Sequence, residues 1–180
     1  MPSVVANRYA SALADVVAPT GHYRQVLAEL EDFAVLYRES AELQEVFDSP
    51  TLSFARKQSV LDALAGRLGS SHVTQNFLRV LASHYRMPIL EEAIQAFRNI
   101  AYARLGIVQV KISSAAELSA AQQDLLRRHF SELTRQQPYL EFQLDPQLIG
   151  GIVAQIGSTV YDGSIRGQLE RIREQIIGKL

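Results

Sequence analysis

Residues 145–175 read DPQLIGGIVAQIGSTVYDGSIRGQLERIREQ, and this stretch holds the most distinctive turn chemistry of the chain. The apolar run from Ile152 to Ile156 is typical of a buried strand. Gly157-Ser158 follows as the glycine-first pair that favours a two-residue hairpin loop, so Thr159 to Tyr161 is predicted to be the returning strand. Asp162-Gly163-Ser164 predicts a turn in which Ser164 caps a new helix by accepting a backbone hydrogen bond. The stretch therefore predicts a β-hairpin followed directly by a helix.

The predicted last helix has one apolar stripe. Its members recur at offsets of about four, seven and eleven residues, as one face of an α-helix requires: Ile165, Leu169, Ile172 and Ile176. Gly167 lies in the first turns of this helix, where glycine costs roughly 0.8 to 1.0 kcal/mol relative to alanine. We therefore interpret Gly167 as a packing glycine, past which a neighbouring group runs too closely for a Cβ.

Upstream of the hairpin, the hydrophobic period changes near Gly106. Val108, Val110 and Ile112 alternate with polar residues as a half-buried strand does. Ser119 to Gln122 is a capping-box pattern that predicts a helix to about Gln136, and Leu140 to Leu144 alternates again. Leu126, Phe130 and Leu133 are predicted to face inward from that helix. Residues 106–180 are therefore predicted to form a small α+β domain: strand, helix, strand, hairpin and helix.

Residues 1–105 have helical periodicity throughout, interrupted by Pro, Gly and Ser clusters. The predicted helices are 4–17, 23–39, a short segment around 43–47, a fourth ending near 68, about 73–85, and a sixth starting at Pro88. Six helices in about 105 residues predict a compact bundle. The fold class predicted for the whole chain is α+β, with a six-helix bundle followed by the small C-terminal domain.

Two predicted helices of the bundle carry more apolar surface than one core-facing stripe needs. In the first helix, the apolar positions include Val5, Tyr9, Ala12, Leu13 and Val16. In the fifth, apolar residues spread over more than one stripe: Phe77, Leu78, Val80, Leu81 and Tyr85. A helix that is apolar on several sides is either central in a core or covered by a partner. Packing into the core of the bundle would explain either apolar stripe alone. It does not account for the apolar surface of both helices together.

Composition excludes several classes of protein. The chain has 18 Lys and Arg against 19 Asp and Glu, so no strong field attracts nucleic acid or an anionic membrane. It has no cysteine, which excludes disulfides and thiolate metal sites. The N-terminal residues lack the basic start and apolar core of a secretory signal and are too polar to span a bilayer. These features predict a soluble cytoplasmic protein that can sit on a membrane complex.

No pattern of catalytic or cofactor-binding residues stands out. None of the lysines, Lys57, Lys111 and Lys179, lies beside the glycines of residues 150–167 as a P-loop requires. The histidines fall in four separate segments without metal-ligand spacing. Asp162 and Ser164 are explained by the turn, although a hydrolytic or phosphotransfer enzyme using them remains a rival hypothesis. The prediction is therefore no cofactor, no metal and no nucleic acid.

The hairpin stretch carries a family resemblance. DPQLIGGIVAQIG followed by YDGSIRGQLERI resembles the C-terminal signature of the delta subunit of F-type ATP synthases, the bacterial counterpart of the mitochondrial oligomycin-sensitivity-conferring protein. The matching positions are Asp145, Pro146, Leu148, Ile149, Gly150, Gly151, Gly157, Asp162, Gly163, Ser164, Arg166, Gly167 and Leu169. In the first half, residues 8–13 are similar to the family's RYA-x-AL opening, and Asn76-Phe77-Leu78 resembles its NFL segment.

This resemblance implies a non-catalytic stator subunit. Residues 1–105 would bind the amphipathic N-terminal helix of an alpha subunit between the first and fifth helices, with Tyr9 and Ala12 on one wall and Asn76 and Val80 on the other. Residues 106–180 would bind the b-type subunits of the peripheral stalk. Membrane association, at the cytoplasmic face of a bacterial plasma membrane, would be indirect.

We hypothesise that the turn residues of the second half have turn and packing roles and that the surface they shape makes the stalk contacts: Gly150, Gly151, Gly157, Asp162, Gly163, Ser164 and Gly167. The alternative that the residues leave open is an unrelated helical adaptor or regulatory protein that binds some other amphipathic helix.

Overall fold

A computed structural model describes residues 2–49 and 51–177 of the chain. The chain divides into two compact units, Met1–Ala101 and Tyr102–Leu180, called here the helical unit and the sheet unit. The sequence placed this division between Leu105 and Gly106. The predicted α+β fold class, a helical bundle followed by a small sheet domain, is confirmed.

The described residues up to position 104 form six α-helices, the last of which ends just beyond the helical unit. They are α1 (Val4–Val17), α2 (Tyr23–Glu39), α3 (Ala41–Asp48), α4 (Phe54–Leu68), α5 (His72–Ser83) and α6 (Leu90–Arg104). Two predicted boundaries were wrong. Pro88 lies in a separate 3₁₀ turn, Met87–Ile89, instead of opening α6. Tyr85 was predicted to be helical but has φ +55°, a value that a right-handed helix does not accommodate.

The core of the helical unit is built from large side chains supplied by most of its helices. The bulkiest fully buried apolar residues are Phe33, Phe47, Phe97, Leu30, Leu78, Leu81, Met87 and Leu90. Apolar residues at helical spacing form the buried faces of two helices. In α2 they are Val26, Leu30, Phe33 and Tyr37, and in α6 they are Leu90, Ile94, Phe97 and Ala101. Burial of these aromatic and aliphatic side chains supplies the main hydrophobic stabilisation of the helical unit.

The sheet unit is one mixed four-stranded sheet with helices. Its elements are β1 (Ile107–Ser114), α7 (Ala120–Thr134), β2 (Gln137–Leu144), β3 (Ile152–Ile156), β4 (Thr159–Asp162) and α8 (Ile165–Ile177), with a 3₁₀ turn at Pro146–Leu148. The strand order is β2-β1-β3-β4. The pair β1 and β2 is parallel with α7 as its crossover, and the other neighbours are antiparallel. The predicted hairpin is confirmed, with Ile156 paired to Thr159 across the loop.

The sheet unit has a small core. Val110 and Ile112 of β1, Phe130 of α7 and Ala154 of β3 form its buried cluster. The capping box that opens α7 is present, since the Ser119 hydroxyl accepts from Gln122 N and the Gln122 side chain accepts from Ser119 N. The inward prediction holds for Phe130, and Leu126 is half-buried, but it was wrong for Leu133, which is exposed. One helix over a short sheet leaves the ends of the helix uncovered.

The predicted stripe of α8 is only partly within the described side chains. Ile165 and Leu169 are both exposed, so neither packs into the core of the sheet unit. The side chains of Ile172 and Ile176 lie outside the part of the chain that the structure describes. The stripe is therefore apolar surface where it is described.

Candidate functional site

Helix α1 has two apolar stripes. The stripe that packs into the bundle consists of small and medium residues: Ala6, Ala10, Leu13, Ala14 and Val17. The second stripe, at helical spacing on the outward side, consists of Val5, Tyr9, Ala12 and Val16. Val5 and Tyr9 are half-buried, Ala12 is exposed and Val16 is 60% exposed. Of the apolar positions singled out in the sequence, only Leu13 therefore lies in the core.

Helix α5 repeats this arrangement beside α1, against which it packs. Its inward side buries Thr74, Phe77, Leu78, Leu81 and Ala82. On its outward side Val73 is half-buried and Val80 is 43% exposed. Two neighbouring helices thus each leave apolar residues outside a completed core. We call the outward residues Val5, Tyr9, Ala12, Val16, Val73, Asn76 and Val80 the α1/α5 surface.

Asn76 forms a polar border of the α1/α5 surface. Its side-chain oxygen accepts a hydrogen bond from Arg79 Nη1 at 2.9 Å. The same guanidinium pairs with Asp62 of α4, with Arg79 Nη2 2.6 Å from Asp62 Oδ1. The amide is thus held toward α4, so it limits the apolar surface on that side instead of contributing area to it.

The N-terminus of α5 is fixed by a carboxylate from α2. Glu29 Oε2 accepts hydrogen bonds from Ser71 N at 2.9 Å, Ser71 Oγ at 2.7 Å and Thr74 Oγ1 at 2.5 Å. Burial raises the pKa of Glu29, but the hydrogen bonds from Thr74 and Ser71 together outweigh it and hold the pKa below its usual value. The negative charge also suits the positive end of the helix dipole.

The C-terminal end of α5 is fixed by a buried lysine. Arg86 N donates to Leu81 O at 2.8 Å as the chain leaves the helix through Tyr85. The ammonium of Lys57 lies 4.5 Å from the centre of the Tyr85 ring and donates to the carbonyl of Phe47 at 2.7 Å. With both ends tied to other helices, α5 presents Val80 from a rigid support.

In the sheet unit, Gly150 and Gly151 lie where the loop after β2 meets the start of α8. Gly151 has φ +78°, and a Cβ there would collide with the carbonyl oxygen of Gly163. A Cβ on Gly150 would lie 2.6 Å from Cδ1 of Ile165. The close approach is fixed by Ile165 N donating to Gly150 O at 3.0 Å. These glycines let the loop and the helix start touch backbone to backbone.

Asp162, Ser164 and Gly167 form the junction between β4 and α8. The Asp162 carboxylate accepts from Ser164 N at 2.8 Å, and buried Ser164 accepts from Gly167 N through its hydroxyl at 3.0 Å. A Cβ on Gly167 would collide with the Asp162 carboxylate. Hydrogen bonds from the side chain and backbone of Ser164 hold the pKa of Asp162 below its usual value.

The remaining two glycines named in the sequence have simpler surroundings. Gly157 has φ +58° with no atom near its Cβ position, so it serves the hairpin turn only. A Cβ on Gly163 would lie 3.3 Å from Ile152 O, which is tight but not prohibitive. The loop, the hairpin and the helix start thus form one hydrogen-bonded junction.

The sheet unit leaves much apolar side-chain area uncovered, which the sequence did not identify. Ile149 is 67% exposed and Leu125 is 68% exposed. A shallow cleft of about 400 Å³ between α7 and the hairpin is lined mainly by Leu126, Phe130, Leu133, Ala154 and Tyr161. The one signal in the sequence was the pair Leu125-Leu126, which cannot both face one sheet from a helix.

The described residues contain no cluster of His, Asp or Glu side chains that could hold a metal ion. Within the same residues, no helix has the length and hydropathy that crossing a bilayer requires. The four residues predicted to bind a partner, Tyr9, Ala12, Asn76 and Val80, lie on α1 and α5. The predicted turn residues lie at one junction, except Gly157 of the hairpin loop. What the arrangement offers is contact area for another protein.

Comparisons with known proteins place these features in a family. A family model described as ATP synthase delta (OSCP) subunit matches residues 5–176. ATP synthase subunit delta of Acidobacterium capsulatum is 41% identical over 172 residues, which cover 95% of this chain and 96% of that protein. The subunit of the same name from Myxococcus xanthus is 37% identical over 176 residues and covers 96% of each.

Solved structures with low sequence identity share the fold. A chain of the Toxoplasma gondii mitochondrial ATP synthase hexamer matches with a TM-score of 0.74 at 23% identity, covering 97% of this chain and 98% of that chain. A chain of the Polytomella F-ATP synthase matches with a TM-score of 0.52 at 20% identity, covering 58% of this chain and 91% of that chain.

Proposed function

The chain belongs to the ATP synthase delta (OSCP) subunit family and is a non-catalytic stator component of an F-type ATP synthase, and from this premise we propose how it makes its two contacts. The helical unit binds the amphipathic N-terminal helix of an alpha subunit on the catalytic head. The sheet unit binds the b-type subunits of the peripheral stalk. Because the subunit binds the head at one end and the stalk at the other, the head cannot turn with the rotor. Proton-driven rotation is therefore coupled to ATP synthesis.

The observation that carries the head contact is the outward apolar stripe on each of two adjacent helices. A single exposed valine is ordinary, but Val16, Val80 and the half-buried Tyr9 lie over a core that is already filled. In helix-in-groove recognition, an amphipathic helix lays its apolar face into a hydrophobic groove. Ala12, being small, permits close approach of a partner helix, and Tyr9 adds rigid apolar area at a low cost in side-chain entropy.

The energetic requirement supports a well-packed contact. A stator link has to stay bound through many turnovers, which favours a dissociation constant near nanomolar, or about 12 kcal/mol. A few anchors that lose their exposure to water supply most of such an affinity. Because α5 is fixed by Glu29 at one end and by Lys57 at the other, little freedom remains to be lost in binding.

Substitution of one valine on the α1/α5 surface tests the head contact against a matched control. Val80→Asp should weaken binding of an alpha N-terminal peptide by roughly 2 to 4 kcal/mol, since it buries an unpaired carboxylate in an apolar contact. Tyr9→Asp should act similarly. Val35 of α2 is exposed to nearly the same degree, 41% against 43%, so Val35→Asp is the control and should bind normally.

Calorimetric titration with the peptide measures these affinities, and circular dichroism checks that each variant remains folded. Unchanged peptide binding by folded Val80→Asp and Tyr9→Asp would reject the α1/α5 surface as the head contact. An equal loss in Val35→Asp would show that any added carboxylate on the bundle weakens binding, which would also reject it.

The stalk contact is proposed for the sheet unit because that unit exposes apolar residues at its loop junction and on α8, namely Ile149, Ile165 and Leu169. The glycines and the Asp162 turn fix the backbone from which these apolar residues project. The subunit then sits on the cytoplasmic face of a bacterial plasma membrane and associates with the membrane only through the stalk.

Reconstituting heads lacking this subunit with stalk-bearing membranes should restore proton-coupled ATP synthesis only when the chain is added.

A further inference from the structure

Ile149 has an unusual backbone conformation. Three non-glycine residues in the described part of the chain have positive φ, namely Tyr85, Arg135 and Ile149. Tyr85 and Arg135 follow helix ends, where such a value closes the last turn. Ile149 has φ +65° and ψ −39°, outside the left-handed helical region and near that of a strained γ-turn. It is also β-branched, and such side chains tolerate positive φ least.

The conformation of Ile149 is imposed by its neighbours on both sides. Leu148 is buried, and Asp145 accepts from Gln147 N at 3.0 Å, which fixes the 3₁₀ turn before it. Gly150 follows, seated on the Ile165 side chain and bonded to Ile165 N. A glycine would adopt this geometry without strain. The chain instead carries a large apolar side chain there, and that side chain is 67% exposed, so packing inside the unit does not explain it.

The surroundings of Ile149 indicate the chemistry of what it contacts. Ile165 of α8 lies against Gly150, the residue that follows Ile149. Ile165 and Leu169, one helical turn apart on α8, are both exposed. Two arginines of α8 are engaged: Arg166 Nε donates to Glu170 Oε1 at 3.2 Å, and Arg171 Nε donates to Gly167 O at 3.1 Å. Because these two arginines already have hydrogen-bond partners, an apolar partner face is favoured over an acidic one.

We propose that Ile149 is the anchor residue of the stalk contact, held by a strained backbone so that its side chain inserts into the apolar face of a b-type stalk helix. This inference rests on the function proposed above. A stator link resists torque only if its two contacts are with different bodies, and the α1/α5 surface is already assigned to the head. Strain maintained at an exposed position is typical of functional sites, since folding alone would select against it.

The test uses the full chain and a purified water-soluble segment of the b-type stalk subunit of the same synthase. Ile149→Gly relieves the backbone and removes the anchor. It should bind the stalk segment at least about tenfold more weakly, equivalent to ~1.4 kcal/mol, while its urea midpoint stays at or above that of the unaltered chain. Ile149→Ala removes the anchor but keeps a Cβ, so it should lose the same affinity and have a lower urea midpoint than Ile149→Gly.

A matched control and the possible outcomes separate the explanations. Leu125 of α7 is exposed to the same extent, 68%, on an ordinary helix, and Leu125→Ala should bind the stalk segment within about twofold of the unaltered chain. Stalk binding within twofold by Ile149→Gly would overturn the anchor while leaving the proposed function standing. Failure of the unaltered chain to bind the stalk segment would overturn both. Weaker alpha-peptide binding by Ile149→Gly, or a marked fall in its urea midpoint, would assign Ile149 to the head contact or to folding instead.

Discussion

The helical unit and the sheet unit cover their apolar residues to very different extents. The helical unit buries whole aromatic rings, among them Phe33, Phe47 and Phe97, and leaves its apolar excess on the outward sides of α1 and α5. The sheet unit buries a cluster of four residues, three of them aliphatic, and exposes apolar residues on α7, the hairpin and α8. The helical unit therefore has a well-filled core and a separate apolar surface. The sheet unit has a small core and many exposed apolar residues.

This difference follows from the number of layers. Six helices can surround a shared interior, but one crossover helix over a four-stranded sheet covers only part of one face. Small units bury a smaller fraction of their surface and gain proportionally less stability from it. We therefore expect the helical unit to be stable before it meets a partner, and the sheet unit to gain much of its stability by binding.

The largest effect expected concerns the independence of the two contacts. A chain ending after Leu105 should lose all binding to the stalk segment and keep its affinity for the alpha N-terminal peptide, because the α1/α5 surface belongs to the helical unit. Titration with each probe measures the outcome. Loss of both activities in a chain that retains its helical circular dichroism would contradict the assignment of one contact to each unit.

A smaller effect is expected from a single methyl group at the loop junction of the sheet unit. Gly151→Ala should destabilise the sheet unit by roughly 2 to 4 kcal/mol, since the added Cβ meets the Gly163 carbonyl and positive φ is also strained. Gly157→Ala is the control, because it shares the positive φ but has open space around its Cβ position. Urea unfolding followed at the sheet unit should separate the two variants, and equal midpoints would show that the close approach costs nothing.

The smallest effect is expected from the hydrogen bonds by which Glu29 of α2 holds the N-terminus of α5. Glu29→Gln should cost about 1 kcal/mol of stability at neutral pH, because a charged acceptor is lost to Ser71 and Thr74. The folded-state pKa of Glu29 lies below its usual value, so the stabilisation is present above the unfolded pKa and is lost as pH falls through the folded one.

The pH dependence distinguishes this tie from general charge effects. The difference in unfolding free energy between the unaltered chain and Glu29→Gln should narrow as pH falls below about 4.3. Glu39 is an exposed carboxylate at the other end of α2, and Glu39→Gln is the control because it removes the same charge from the same helix. Parallel pH profiles for the unaltered chain and Glu29→Gln would disprove the role of the Glu29 carboxylate.

Much of the fold was predictable because local signals agreed with the tertiary structure. The stripe of α2, the capping box of α7 and the glycine-first loop of the hairpin all act within a few residues. The prediction that Leu133 is inward was wrong. The helical spacing of apolar residues identifies the inward side of α7, but it does not show whether the sheet extends beneath the end of the helix. Tyr85 was placed in α5 although the helix ends before it, where Lys57 from α4 packs on its ring. A contact between distant residues leaves no trace in local spacing.

The sequence by itself determined the order of elements, the α+β class and, through its turn motif, the family. Those properties depend on residues close together along the chain. Only the tertiary structure decided which of the apolar stripes of α1 and α5 is core, and that Ile149 is exposed in a strained conformation. The reason is that a stripe's spacing is the same whether it faces the interior or water, and only the packing of other elements against it decides between the two.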